Sequence, residues 1–267
     1  MKGTVQTSVR RGLLRPLRKL GLSIASRWPW PVRARIKSGR EMFVDLRSGV
    51  GRGLFMTGEF DPVVFDAFRR VLKPGGVFVD VGANVGYYSM LALDLVGDSG
   101  QVHAFEIDVR PIRCLRKTVR RFGLTNLVLH QVAVGDRVGE AVLNPDPDCG
   151  ESSVSRSGGG RQVRMTTLDE WWRTAKCGRV QGVKLDIEGG EFAALQGAPD
   201  FLEANRPLVV CEVFAEYRQR TGRDPNELTD FLRSLDYDVE ILSGGWSPGL
   251  VATPRRLAGE IVTVPND

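Results

Sequence analysis

Val77-Phe78-Val79-Asp80-Val81-Gly82-Ala83-Asn84-Val85-Gly86 is the stretch from which the rest of the chain is read. Its first five residues are apolar except for one late carboxylate, the pattern of a short strand buried on both faces. Two glycines then turn the chain, and Tyr87 to Val96 predicts a helix. A second strand, Gln101 to Phe105, ends in Glu106, and Arg110 to Phe122 predicts the next helix. Leu127 to Val134 reads as a third strand. Strand, helix, strand, helix, strand implies an α/β fold with parallel pairing and right-handed crossovers.

Working outward, residues before the stretch form two short strands around the Ser38-Gly39 turn and end near Leu46. A glycine-rich stretch from Gly49 to Gly58 leads to Asp61-Pro62, a helix start, and Lys73-Pro74-Gly75-Gly76 stops that helix. Downstream, Gly135 to Gly160 reads as a flexible loop, followed by a short strand over Val163 to Thr167 and a brief helix from Leu168. Alternation resumes with a strand over Val183 to Ile187, a helix after Glu191, a strand over Leu208 to Val213 and a helix over Pro225 to Leu235. Val239 to Leu242 and Glu260 to Val264 read as a closing antiparallel pair. About seven main strands in one mostly parallel sheet result, with helices on both faces and one antiparallel strand near the C-terminus. The pattern gives no second hydrophobic core.

Charge divides the chain. Residues 1–40 hold eleven Lys or Arg and no acid, so a total of +5 leaves the remainder at −6. The organisation expected is a basic arm over residues 1–33 and a single domain over 34–267. A body of that sign offers no basic face to nucleic acid. In the arm, Leu13, Leu17 and Leu20 fall at helical spacing among arginines, ahead of Trp28-Pro29-Trp30-Pro31. This suits peripheral contact with a membrane, and equally a solvated extension packed on the body. No apolar run is long enough to span a bilayer. Cys114, Cys149, Cys177 and Cys211 form no C-x-x-C and read as reduced thiols of a cytoplasmic protein. Only His103 and His130 occur, and both read as packed strand residues; no metal site is expected.

In an open parallel sheet the ligand sits beyond the carboxyl ends of the strands. A dinucleotide-binding turn would need glycine at positions 82, 84 and 87, but Asn84 and Tyr87 stand at two of them. S-adenosylmethionine makes other demands. Asp80 would face its amino group, directly or through water. Gly82 and Gly86 would let its methionine part approach backbone, with Ala83, Asn84 and Tyr87 completing the turn. Glu106 would accept the ribose hydroxyls, and Val132 and Ala133 would wall the adenine.

The stretch from Val79 to Gly86, with His103-Ala104-Phe105-Glu106, resembles the FkbM family of methyltransferases. So do Ala133-Val134-Gly135-Asp136, Thr166-Thr167-Leu168-Asp169, Lys184-Leu185-Asp186-Ile187-Glu188-Gly189-Gly190-Glu191, and Arg206-Pro207 leading into Val210-Cys211-Glu212. Gly190 departs from the alanine frequent there. The resemblance implies a class I methyltransferase fold of Rossmann type, S-adenosylmethionine as donor, and O-methylation of a natural product, sugar or lipid-linked glycan.

Methyl transfer to a hydroxyl needs an aligned oxygen and a base. The candidates are Glu188, Asp186 and Glu212. Glu188 is expected as base or hydroxyl-orienting group, with Asp186 nearer the cofactor. The structural alternative is that Asp186 or Glu212 serves only as countercharge to Lys184. Glu191 at a helix start is a further candidate, or simply a favourable acid in the first turn. Two rival functions fit the same element order: an NAD(P)-dependent oxidoreductase, and a non-catalytic protein binding through the basic arm.

Overall fold

The computed structural model describes residues 27–146, 152–155, 158–212, 222, 224–242 and 249–255. Its centre is a seven-stranded sheet in the order β12-β13-β11-β10-β3-β4-β5. These strands are Tyr237–Leu242, Gly249–Pro254, Leu208–Glu212, Val180–Leu185, Val77–Val81, Gln101–Phe105 and Leu127–His130, respectively. β3 is buried at every position because it is paired in parallel with β10 on one side and β4 on the other. β13 runs antiparallel to both β11 and β12 and is the single reversed strand of this sheet.

Helices cover both faces. α1 (Gly49–Thr57), α2 (Pro62–Val71), α3 (Tyr87–Val96) and α4 (Val109–Phe122) bury Leu54, Phe65, Phe68, Met90, Ile112 and Leu115 in one core layer. The hairpin of β1 (Val32–Arg35) and β2 (Glu41–Val44) closes that layer. α5 (Leu168–Ala175), α6 (Glu191–Gln196), α7 (Pro199–Asn205) and α8 (Pro225–Ser234) pack Trp171, Phe192, Phe201 and Leu232 on the other face. α4 shows how sequence selects this layering. Pro111, Ile112, Cys114, Leu115 and Thr118 form its buried stripe, and its arginines and lysine fill the rest.

Several sequence expectations need correction. The glycine-rich stretch after Ser48 is a helix, α1: the Ser48 hydroxyl caps it by accepting from Gly51 N–H, and Leu54 anchors it in the core. Leu127 to Val134 is not one strand. The chain leaves the main sheet after His130, and Ala133–Val134 (β6) joins a second sheet instead. That sheet has the order β6-β9-β7-β8. It is completed by Gly139–Asn144 (β7), Ser153–Ser155 (β8) and Arg161–Thr166 (β9), so the region expected to be a flexible loop holds two strands and a small core around Ala141 and Met165. Ala141 and Leu143 are buried at every second residue, the period of a strand. α7 follows α6 as a separate helix. β12 pairs with Gly249–Pro254, a strand the sequence reading did not place; Glu260 to Val264, Cys149 and most of the basic arm lie outside the described residues. Of the arm, β1 begins at Val32, ahead of the expected boundary at 33.

Candidate active site

The chain order reverses between β3 and β10: from β3 it runs outward to β4 and β5, then returns to β10 and β11. A crevice at the carboxyl ends of these strands follows from that topology. Here it is a cavity of about 760 Å³, within the size range of small-molecule sites. Three segments wall it: the turn at Gly82 and Asn84 with Glu106 to Asp108; residues Val132 to Arg137 with the small sheet; and the turn Asp186 to Gly190.

The first wall is tied together by one carboxylate. Glu106 Oε2 accepts from Asn84 N–H at 2.8 Å, and Oε1 accepts from Asp108 N–H at 2.7 Å. Burial pushes the Glu106 pKa up to about 7, against the pull of these amide donors. Gly82 N–H and Ala83 N–H both donate to Phe105 O, which fixes the β3 turn against β4. Gly82 has φ of +77°, and a Cβ there would stand 1.8 Å from Asp186 O. Only glycine lets the two central turns touch.

The third wall is also held by a carboxylate. Glu191 is fully buried, and its oxygens accept from Ile187 N–H at 2.8 Å and Gly189 N–H at 3.0 Å. Burial pushes its pKa up to about 7. This grip supports Glu188 and Gly189 at φ of +57° and +100°, a turn that ordinary side chains disfavour.

Behind these turns lies a buried ion cluster. Lys184 and Asp80 are paired residues on neighbouring strands. The Lys184 ammonium lies 3.0 Å from Asp186 Oδ2 and 3.9 Å from Asp80 Oδ1. Burial opposes the Lys184 charge, but Asp186 and Asp80 outweigh it and hold its pKa above the ordinary lysine value. For Asp186 burial is again outweighed, here by the Lys184 ammonium and a hydrogen bond with Glu212, so its carboxyl stays below the usual range. Asp80 accepts from Ser89 Oγ at 2.6 Å, and burial dominates to raise its pKa. Lys184 therefore serves Asp186 first.

The expected site residues divide. Gly82, Asn84, Glu106, Ala133, Asp186 and Glu188 share the cavity wall. Asp80 does not: it has no exposed surface and lies in the Lys184 cluster. Ala83 and Tyr87 are buried beneath the turn. Gly86 likewise faces protein, since a Cβ there would lie 2.3 Å from Leu115 Cδ2; its freedom serves helix packing. Glu212 stands behind Asp186, outside the cavity lining. Sequence reasoning missed Asp108, Asn144 and the serines at 152, 153 and 155 as wall residues. Asp108 had a legible signal, as the cap of α4; the serines sat in a stretch read as loop. His103 and His130 lie away from the cavity, 3.0 Å apart through Nδ1 and Nε2, beside Trp171.

The residues present fit S-adenosylmethionine. Among the described residues, five carboxylates (Glu106, Asp108, Asp136, Asp186, Glu188) and one arginine, Arg137, line the cavity, a balance suited to a ligand with a sulfonium and an ammonium and unfavourable to a diphosphate. Each Glu106 oxygen accepts one amide and retains capacity for a ribose hydroxyl. Ile107, Val132, Ala133 and Val134 supply an apolar strip for adenine.

Residues 80–239 match the methyltransferase FkbM domain. The chain belongs to the FkbM methyltransferase family. Membership places this fold with methyltransferases and not with NAD(P)-dependent oxidoreductases. Among solved structures, the chain is similar to methyltransferase FkbM from Methylobacillus flagellatus, at 18% identity and a TM-score of 0.49, over 75% of this chain and 52% of that one. This FkbM chain thus spans about half the length of that relative. A SAM-dependent methyltransferase from Aquifex aeolicus matches at 15% identity and a TM-score of 0.43, over 72% of this chain and 89% of that one. A SAM-dependent O-methyltransferase from Thermotoga maritima matches at 12% identity and a TM-score of 0.47, over 88% and 79% of the two chains. No curated protein matches the chain. Among the described residues, no helix is long and apolar enough to cross a membrane.

Proposed function

We propose that this protein transfers the methyl group of S-adenosylmethionine to a hydroxyl oxygen of a small molecule or glycan. The observation that carries this reading is the acid-rich cavity at the β3/β10 reversal, with Glu106 poised at its edge. When bound, the donor supplies a methyl carbon activated by its sulfonium. The protein has to align the acceptor oxygen with that carbon and remove its proton.

Two carboxylates on the Asp186 to Gly190 turn line the cavity. Lys184 holds the Asp186 pKa down, which makes Asp186 a weak base and a better partner for the cationic donor. Glu188 takes the role of base or hydroxyl-orienting group, presented by the left-handed turn that Glu191 clamps. Lys-Leu-Asp-Ile-Glu stands where an Asn/Asp-Pro-Pro-Tyr motif would mark amino methylation, and this favours oxygen as the acceptor atom. The site of action assigned is the cytoplasm.

The test is incubation of small-molecule and glycan extracts with isotopically labelled S-adenosylmethionine, followed by mass spectrometry. A product with one labelled methyl on oxygen supports the reading; label on nitrogen or carbon overturns the hydroxyl assignment. Glu188→Gln should lower turnover at least about tenfold with donor affinity retained, and normal turnover would remove Glu188 from the chemistry.

A further inference from the structure

The outer face of α4 has one sign of charge. The helix carries Arg110, Arg113, Arg116, Lys117, Arg120 and Arg121 and no acid. Arg113, Arg116, Arg120 and Arg121 are exposed. None of these four, nor Lys117, forms an ion pair among the described residues. Arg120 and Arg121 stand in the last turn, where the helix dipole favours cations. Arg113 and Arg116, in mid-helix, have no such explanation.

A second feature lies on the same face. The Arg113 guanidinium sits 4.7 Å over the Trp30 ring, and Lys117 Nζ approaches Pro31 O at 3.4 Å. The Trp28-to-Pro31 segment is thereby brought onto the cationic side of α4. Trp30 is nevertheless 56% exposed and Trp28 52% exposed, unusual for the largest apolar side chain. The chain entering this segment holds further arginines, with Leu13, Leu17 and Leu20 at helical spacing.

We propose that the α4 face and the adjoining Trp28–Trp30 segment form a docking surface for an anionic phospholipid bilayer. Cations are drawn to the headgroups, and tryptophans settle at the boundary between headgroups and acyl chains. Nucleic acid would satisfy the arginines but gives no reason for leucines at helical spacing in the preceding chain, which a bilayer interface does. The same helix begins at Asp108 on the cavity wall, so the surface and the candidate active site share an element.

The test uses the full chain in sedimentation with vesicles of phosphatidylcholine alone or mixed with phosphatidylglycerol. Binding is expected only to the mixed vesicles, with a shift of tryptophan emission to shorter wavelength, and should weaken as salt is raised. Arg113→Gln/Arg116→Gln/Arg120→Gln should weaken it at least about tenfold, and Trp28→Ala/Trp30→Ala should remove most of the emission shift, with circular dichroism confirming that both variants fold. Failure to bind mixed vesicles would overturn the proposal. So would unchanged binding by the arginine variant, or displacement of the vesicles by an RNA or DNA oligonucleotide at equal salt.

Discussion

Glu106 Oε2 accepts the Asn84 amide at 2.8 Å, so the carboxylate ending one central strand fixes the turn that follows its neighbour. The two groups are 22 residues apart in sequence and form a single edge of the cavity. The opposite edge repeats the device, with Glu191 gripping the turn that carries Glu188. Both edges are thus organised by a carboxylate accepting backbone amides, half-buried at Glu106 and fully buried at Glu191, a rigid arrangement of the kind that positions reacting groups.

The Glu191 clamp has a measurable cost when removed. Glu191→Ala leaves two amides of the turn without their acceptor, each worth ~1–3 kcal/mol when left unsatisfied. The variant should lose at least about 2 kcal/mol in chemical denaturation, and its turnover should fall more than its donor affinity because the turn presenting Glu188 loosens. Unchanged stability would show that the turn holds itself.

Lys184 should matter to both folding and pH. Lys184→Met strands Asp80 and Asp186 without their cation, a change worth about 3 kcal/mol or more for a buried pair. Asp186 then loses the charge that keeps its pKa low, and any acidic limb of the kcat/KM profile that Asp186 governs should move to higher pH. Adding Asp80→Asn should recover part of the lost stability. Additive losses in the double variant would argue that the two residues act separately.

Gly82→Ala combines a positive φ with a Cβ 1.8 Å from the Asp186 carbonyl. Relief requires the β3 and β10 turns to part. The expected result is a lower melting temperature together with weaker donor binding; a variant with wild-type stability and affinity would mean that the close approach is dispensable.

His103 and His130 predict an acid-sensitive fold. Burial lowers both pKa values to about 4, with His130 adding to the effect on His103. In the unfolded chain each takes a proton near 6.5, so the unfolded state binds more protons between these values. Their stabilising contribution is complete above about pH 6.5 and is lost as pH falls toward 4, on the order of a few kcal/mol for the pair. Glu106 and Glu191, with raised pKa values, act in the opposite direction over pH 4.5 to 7. Comparison with His103→Gln/His130→Gln separates the two: the wild type should lose more stability than the variant between pH 7 and 5. Parallel curves would contradict this.

The main sheet was legible because its central strands are short apolar runs ending in carboxylates: β3 and β4 were read with their observed bounds, whereas β10 was expected at Val183 to Ile187 and lies at Val180–Leu185. The place of Glu106 and Gly82 on the cavity wall was legible for the same reason, since topology puts strand ends at the crevice. Asp80 lies outside the cavity lining because alternation along β3 decides which way a side chain points. It shares a face with Phe78, toward α3 and Ser89, rather than the cavity. The small sheet was hidden because proline, serine and glycine between Asn144 and Gly160 mask strands whose pairing is set by distant residues, such as Met165 opposite Gly139. The partner of β12 was missed because Gly249 to Pro254 is no more strand-like in isolation than the residues near 260. The exposed cations of α4 needed the structure, because only packing shows which arginines remain outside.

The central claim is that Glu106 receives the ribose of S-adenosylmethionine, and isothermal titration calorimetry of the donor tests it most directly. Wild-type affinity should rise about tenfold from pH 6 to pH 8 as Glu106, with its pKa near 7, loses its proton and becomes a full acceptor. Glu106→Ala, verified as folded, should bind at least about tenfold more weakly and lose that pH dependence. Equal affinity in wild type and variant at both pH values would contradict the account.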